Sequence, residues 1–307
     1  MNTTEQALRF ACEGEQLTGI VSVPSQAGRL GVVIVVGGPQ VRAGSHRQFV
    51  LLARALAAAG FAVLRFDCRG MGDSTGALRN FEHITADIGA AISALQTAHP
   101  SVQSVVLWGL CDGASAALLY LHEQPDPRVA GLALLNPWVR SEASLARTHV
   151  KHYYLQRLKQ LEFWRKLLRG QVAFEALAEL LNNVRAAIGG GSETGSGTGR
   201  DTGRDTGRRP GHRQATRPYQ QRMAQGWAAF DGPKLLLLSE LDLTAREFTE
   251  FIAASAPWQQ ALRQRPATRV TLAAADHTCS TPAAQRAMET ATAQWLATVA
   301  ARCTGEA

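Results

Sequence analysis

The stretch Val105 to Leu121, VVLWGLCDGASAALLYL, most constrains what this chain can fold into. Its first part is a continuous apolar run of the kind that fits a strand buried on both faces, and its last part has the composition of a buried helix. Between them lies only Gly109-Leu110-Cys111-Asp112-Gly113. Strand must therefore become helix through a very tight turn of G-x-C-x-G form. In such a nucleophile elbow the central residue adopts a strained backbone conformation that lifts its side chain clear, and glycines two before and two after relieve the crowding. A helix starting at about Asp112 would point free N–H groups and a positive dipole end at the Cys111 sulfur, favouring the thiolate. The same pentapeptide also accommodates a small buried thiol used as core filler, so the rest of the chain has to separate the two readings.

Elsewhere the sequence alternates between strand and helix signals. Residues 6 to 25 alternate apolar and polar like an antiparallel hairpin, with Leu17 to Val23 as its second strand. Leu30 to Val36 is a β-branched run ending in Gly37-Gly38-Pro39-Gln40. Ser45-x-x-Gln48 reads as a capping box opening a helix with Phe49, Leu52, Ala53 and Leu56 on one face. Gly60 ends that helix, and Phe61 to Phe66 forms a strand leading into Asp67-Cys68-Arg69-Gly70-Met71-Gly72-Asp73-Ser74. A helix near 83 to 98, the elbow, and a strand from Val129 to Leu135 follow. Past Asn136-Pro137-Trp138 the alternation stops; it resumes with a strand at Lys234 to Ser239, a second capping box Thr244-x-x-Glu247, a strand from Thr268, and a last helix capped by Thr281 with Pro282 at its first position. Alternation of this kind predicts an α/β fold with a mostly parallel, helix-covered sheet.

The interruption is expected to be an insertion. The expected core is 1–137 and 228–307, and the insertion is 138–227. Leu155, Leu158, Leu161, Trp164 and Leu168 form one helical stripe there, and Phe174, Leu177, Leu181 and Val184 another. Residues 189 to 218 are a Gly/Arg-rich low-complexity tract, expected to be a disordered linker because almost nothing apolar offsets the entropy of ordering it.

Composition narrows the function. The chain of 307 residues carries a formal charge of +7, but residues 185 to 222 hold eight Arg against two Asp and one Glu, so five of the seven excess charges are local. That pattern argues against a nucleic-acid-binding protein. Five scattered cysteines, Cys12, Cys68, Cys111, Cys279 and Cys303, form no C-x-x-C pair and no zinc-ligand spacing, which fits a reducing cytoplasm and no metal. No N-terminal signal pattern and no run of about 20 apolar residues is present, so the chain reads as neither secreted nor membrane-spanning.

A nucleophilic Cys111 needs a base and a group to orient that base. Asp242 follows one late strand and His277 follows another, so both fall at C-terminal strand ends, where reacting groups collect in open parallel sheets. The order nucleophile, acid, histidine is that of an α/β-hydrolase. Glu240 and Asp276 are neighbouring carboxylates of lower rank, Asp276 reading as a loop anchor. His46, His83, His99, His122, His149, His152 and His212 read as structural. The oxyanion hole is expected to use the backbone N–H of Asp112 and, from the Gly37 to Gln40 turn, that of Gln40, because Pro39 has none. Negative charge on the Asp112 side chain would oppose an oxyanion unless it points away or is paired.

Asp67-x-Arg69-Gly70-x-Gly72-x-Ser74, the elbow, Asp242 and His277 together resemble the α/β-hydrolase superfamily. More closely, Gly37-Gly-Pro-Gln, Gly44-Ser-His-Arg-Gln-Phe and Gly109-Leu-Cys-Asp-Gly-Ala-Ser are similar to the hydrolase 1 proteins associated with the exosortase A system. That family is encoded with bacterial exopolysaccharide and protein-sorting genes. The resemblance implies a cytoplasmic hydrolase of the serine-aminopeptidase-like group that needs no cofactor. From the residues themselves a small acyl compound is the expected substrate, and the helical insertion, following a sheet strand, is expected to be a lid. Cysteine in place of the commoner serine, as in the dienelactone-hydrolase branch, and the Gly/Arg tract depart from it. The expected chemistry is cleavage of an ester, lactone or thioester through an acyl-cysteine. An acyltransferase using the same Cys111, Asp242 and His277, or a non-catalytic interaction protein whose arm is the Gly/Arg tract, are the alternatives; no protein partner is indicated.

Overall fold

A computed structural model describes residues 3–38, 40–140 and 217–304. The apolar runs become an eight-stranded sheet of β1 (Thr3–Cys12), β2 (Glu15–Pro24), β3 (Leu30–Val35), β4 (Ala62–Phe66), β5 (Ser104–Leu110), β6 (Val129–Leu135), β7 (Lys234–Ser239) and β8 (Thr268–Leu272). The spatial order is β1-β2-β4-β3-β5-β6-β7-β8. The hairpin β1/β2 is antiparallel and joins β4 antiparallel, whereas β4, β3, β5, β6, β7 and β8 pair in parallel. This is the α/β-hydrolase architecture expected from the alternation.

Parallel strands need crossover helices, and these cover both faces. On one face α1 (Gln48–Ala58) and the last helix, α7 (Pro282–Thr304), bury Phe49, Leu52, Leu56, Met288, Trp295, Leu296 and Val299 against the sheet. On the other lie α2 (Thr85–Ala98), α3 (Asp112–Glu123), α4 (Tyr219–Ala229), α5 (Leu243–Ala254) and α6 (Ala256–Gln264). Strands β3, β4, β5 and β7 are buried along almost their whole length, which is why they read as continuous apolar runs.

Two expected helix starts differ. Ser45 forms no capping box: Ser45–Arg47 is a 3-10 turn, and α1 begins at Gln48 behind Arg47 at φ 60°. Gln48 is instead buried, with its carbonyl accepting from the Gln285 side-chain amide at 3.2 Å. Thr244 does not cap α5 either, because Asp242 does so two residues earlier. At the C-terminus, Thr281 caps α7 as expected, its hydroxyl accepting the Ala284 N–H at 3.2 Å.

The chain divides into two compact units, Met1–Val139 with Arg217–Ala307, and Arg140–Thr216. The expected helical lid at 138–188 and Gly/Arg linker at 189–218 lie, apart from their ends, outside the described residues. The first unit takes in α4, which sequence patterning had joined to the insertion. This helix packs on α3 and α6: Trp227 stacks edge-on against Trp258 at 5.7 Å, and Trp258 against Phe248 at 5.5 Å, each pair stabilising by about 0.5–1.5 kcal/mol beyond its buried area. The indole N–H of Trp258 donates to the Gln220 carbonyl at 3.0 Å and that of Trp227 to the Arg265 carbonyl at 2.8 Å. At Gly226 α4 lies tight against α3: an added β-carbon would be 2.1 Å from the Leu118 carbonyl oxygen. Gly226→Ala is therefore expected to destabilise by about 1–3 kcal/mol despite the better helix propensity of alanine, read as a lower urea midpoint with unchanged slope. An unchanged midpoint would mean that the two helices separate freely.

Candidate active site

Strand β5 ends at Leu110 and α3 begins at Asp112, so Cys111 alone makes the turn, with φ 58° and ψ −123°. A side chain held there costs on the order of 1–3 kcal/mol, and such a conformation persists only where surrounding bonds over-determine it. Those bonds are present. The Cys111 N–H donates to the Leu135 carbonyl at 2.9 Å, and the Cys111 carbonyl accepts the N–H groups of Ser115 at 3.2 Å and Trp138 at 3.1 Å. The Ser115 hydroxyl donates to the Trp138 carbonyl at 2.7 Å, tying the helix to the chain leaving β6. Gly113 lets α3 close on β3, since a β-carbon there would lie 2.3 Å from the Val35 carbonyl oxygen.

Asp242 does two jobs. Its carboxylate accepts the N–H groups of Thr244 at 3.1 Å and Ala245 at 3.2 Å as the N-cap of α5. The same buried carboxylate meets Nδ1 of His277 at 2.9 Å. Capping orients the carboxylate, and its contact with Nδ1 leaves Nε2 as the ring nitrogen outside this pair. The bond to Asp242 pushes the His277 pKa above 6.5, outweighing the opposing effect of burial.

Asn136 went unrecognised in the sequence, where it only marked the end of a strand. Fully buried at φ 48°, it bonds the Ser239 N–H at 2.9 Å, the Ser239 hydroxyl at 3.0 Å and the His277 carbonyl at 3.4 Å. It thus joins the ends of β6 and β7 to the histidine loop. Three strand ends that are distant in sequence meet in this one side chain, a convergence that no local pattern reports.

Cys111 and His277 line one cavity of about 240 Å³ with Gly37, Gly38, Gln40, Leu110, Asp112 and Trp138. Of the two expected oxyanion donors, Asp112 stands at the start of α3, while Gln40 lines the cavity with its side-chain amide donating to the Ser45 hydroxyl at 3.3 Å. The Asp112 carboxylate packs against the Gly37-Gly38 turn: a β-carbon at Gly37 would lie 2.0 Å and one at Gly38 3.4 Å from its oxygens. Gly38 has φ 60°. Burial raises the Asp112 pKa, with nearby backbone N–H groups acting against it.

The remaining candidates have structural roles. Glu240 accepts the Ala274 N–H at 2.8 Å, and Asp276 accepts the Ser280 N–H at 2.8 Å as a loop anchor. The Asp67 to Ser74 motif is a brace: the Asp67 carboxylate takes the Arg42 N–H at 2.7 Å and the Asp73 N–H at 3.1 Å and pairs with the Arg42 guanidinium, while Arg69 is paired to Asp87. It stiffens the loop beside the cavity. Among the described residues no cluster of three or more His, Cys, Asp or Glu could hold a metal ion, and no helix is long and apolar enough to cross a membrane.

The sheet order, the strained elbow and the carboxylate-paired histidine define an α/β-hydrolase. Residues 29–186 match the Hydrolase_4 family, serine aminopeptidase S33, and the chain belongs to that family. The match spans β3, the elbow and β6, and stops before Asp242 and His277. Among solved structures, the fold is similar to an esterase of Pyrococcus furiosus (14% identity, TM-score 0.60, covering 95% of this chain and 90% of that one). It is also similar to a dienelactone hydrolase of Anabaena variabilis (16%, 0.54, 95% and 96%) and to a hypothetical protein of Pseudomonas aeruginosa (19%, 0.54, 95% and 99%). No curated protein matches the chain significantly.

The pairing of His277 with Asp242 has a direct reading by NMR. The His277 ring is expected to titrate with a midpoint above 6.5, and Asp242→Asn to lower that midpoint, because it removes the largest influence raising it while burial still opposes the charge. An unmoved midpoint would refute the pairing.

Proposed function

We propose that the protein hydrolyses an ester, lactone or thioester through Cys111, His277 and Asp242, by way of an acyl-cysteine. The reading rests on one observation: the only residue between β5 and α3 is a cysteine at positive φ, and it shares a cavity with a histidine whose Nδ1 is held by a buried carboxylate. Nε2 of His277 takes the Sγ proton as sulfur attacks the acyl carbonyl. The carbonyl π pair moves onto oxygen, forming an oxyanion received by backbone N–H groups. We assign these to Asp112 and Gly38, in place of Gln40, because both line the Cys111 cavity where the Asp112 carboxylate packs against the Gly37-Gly38 turn. Collapse expels the leaving oxygen or sulfur with the proton from Nε2. Water, deprotonated by the same nitrogen, then attacks the thioester and restores the thiol.

The leaving group narrows the substrate. A thiolate is expelled more readily than an amide nitrogen from the tetrahedral intermediate unless that nitrogen is protonated in time, so esters, lactones and thioesters rank above peptides. Similarity of the Gly37 to Gln40, Gly44 to Phe49 and Gly109 to Ser115 segments to the exosortase A system-associated hydrolase 1 proteins supports a role linked to exopolysaccharide and exosortase systems in the cytoplasm, on a small acyl compound.

Intact mass after mixing with a short-chain nitrophenyl ester, alongside nitrophenol release, tests the reading. Wild type is expected to carry one acyl group or to turn over, and Cys111→Ala to lose the adduct and at least about 1,000-fold of the rate. Equal rates in the two proteins would overturn the thioester mechanism. In the wild type kcat/KM should rise with pH through the raised His277 midpoint, since only the neutral ring accepts a proton, and the rise should move to lower pH in Asp242→Asn together with a rate loss on the order of 10²–10⁴-fold.

A further inference from the structure

The carboxylate of Asp112 lies where the charge of the reaction would develop. Its oxygens pack against Gly37 and Gly38 at the start of α3, beside the two N–H groups assigned above to the oxyanion. The cradle is built for it: a β-carbon at Gly37 would stand 2.0 Å from Asp112 Oδ1 and 2.2 Å from the Gly113 nitrogen, so only glycine leaves room for the side chain. A carboxylate oxygen and a tetrahedral oxyanion are the same kind of ligand to backbone N–H groups at the start of a helix. Both cannot occupy the donors, and two negative charges side by side would repel.

The other side of Asp112 is open. Gly38 and Asp112 also line a second cavity of about 670 Å³ with Met71, Leu78, Arg79, Asn80, Phe81 and His83. Asp112 thus borders both spaces, one holding Cys111 and His277 and the other holding the cationic Arg79 and His83.

We propose that the Asp112 carboxylate is an internal occupant of the oxyanion hole, which must swing out toward Arg79 and His83 before Cys111 can acylate. The inference rests on the function proposed above. Asp112 then acts as a specificity-determining residue. A substrate must supply enough binding elsewhere to offset displacement of the carboxylate, so small, weakly held acyl compounds are discriminated against. The charged and titratable groups facing it are His277 from the loop after β8, Cys111 at the elbow, Cys68 after β4, and Arg79 and His83 across the larger cavity.

The test needs a ligand that fills the hole without needing turnover. A short aliphatic aldehyde adds reversibly to a thiol: a bond forms between Sγ and the carbonyl carbon, the π pair moves to oxygen, and the thiol proton passes to His277 or to that oxygen. Its affinity is read as protection of Cys111 from iodoacetamide, followed by mass of the Cys111 peptide, in wild type, Asp112→Ala and Asp112→Asn of the full chain. Asp112→Ala is expected to bind the aldehyde at least tenfold more tightly than wild type, with Asp112→Asn between them, and the gain in ester rate should be greatest for acetyl and least for longer acyl groups. Equal or weaker aldehyde affinity in both variants, or no protection in any of the three proteins, overturns the proposal. If Asp112→Ala does not fold, Asp112→Asn decides by the same criterion. Failure of the underlying reading is distinct: Cys111 would then react with iodoacetamide no faster than the exposed Cys303, and the wild type would not hydrolyse the ester.

Discussion

The site depends on a single strained residue being held in place by its neighbours. Cys111 adopts φ 58° because its N–H is committed to Leu135 and its carbonyl to Ser115 and Trp138. Leu135 lies on β6 and Ser115 on α3, both in the core, so relaxing the strain would break bonds there. In parallel pairing the register Val35↔Gly109 and Leu110↔Leu135 brings the ends of β3, β5 and β6 level. The turn carrying Gly37 and Gly38, the elbow, and the strand end bearing Asn136 therefore emerge on one edge. Strain, donors and supports are consequences of one pairing register.

Asp242 couples the same edge to charge. One carboxylate closes the N-terminus of α5 and holds the ring of His277. The bond from this carboxylate raises the affinity of the His277 ring for a proton. Asn136 secures the backbone of the histidine loop from the opposite side. His277 is thus fixed both at its ring and at its main chain.

Asp112 works against this arrangement. Its half-buried carboxylate packs into a cradle whose dimensions exclude any side chain at Gly37, beside the N–H groups proposed for the oxyanion.

The α/β architecture, the elbow and the order of Cys111, Asp242 and His277 could be read from the sequence because each depends on local patterning. Apolar runs, glycine spacing and strand ends lie within a few residues of one another. Local patterning failed where a partner distant in sequence decided the outcome. Ser45 and Thr244 carry the signature of capping boxes, yet Gln48 is drawn into contact with Gln285 of α7, and Asp242, better placed than Thr244, caps α5. Helix α4 reads as more of the insertion, but the close approach of Gly226 to Leu118 and the stacking of Trp227 on Trp258 join it to the core. The sequence by itself determined which residues could react and on which edge of the sheet they would lie. Only the tertiary structure decided that Asn136 supports the His277 loop and that the Asp112 carboxylate packs against Gly37 and Gly38, because each depends on backbone directions set by packing between segments far apart in the chain.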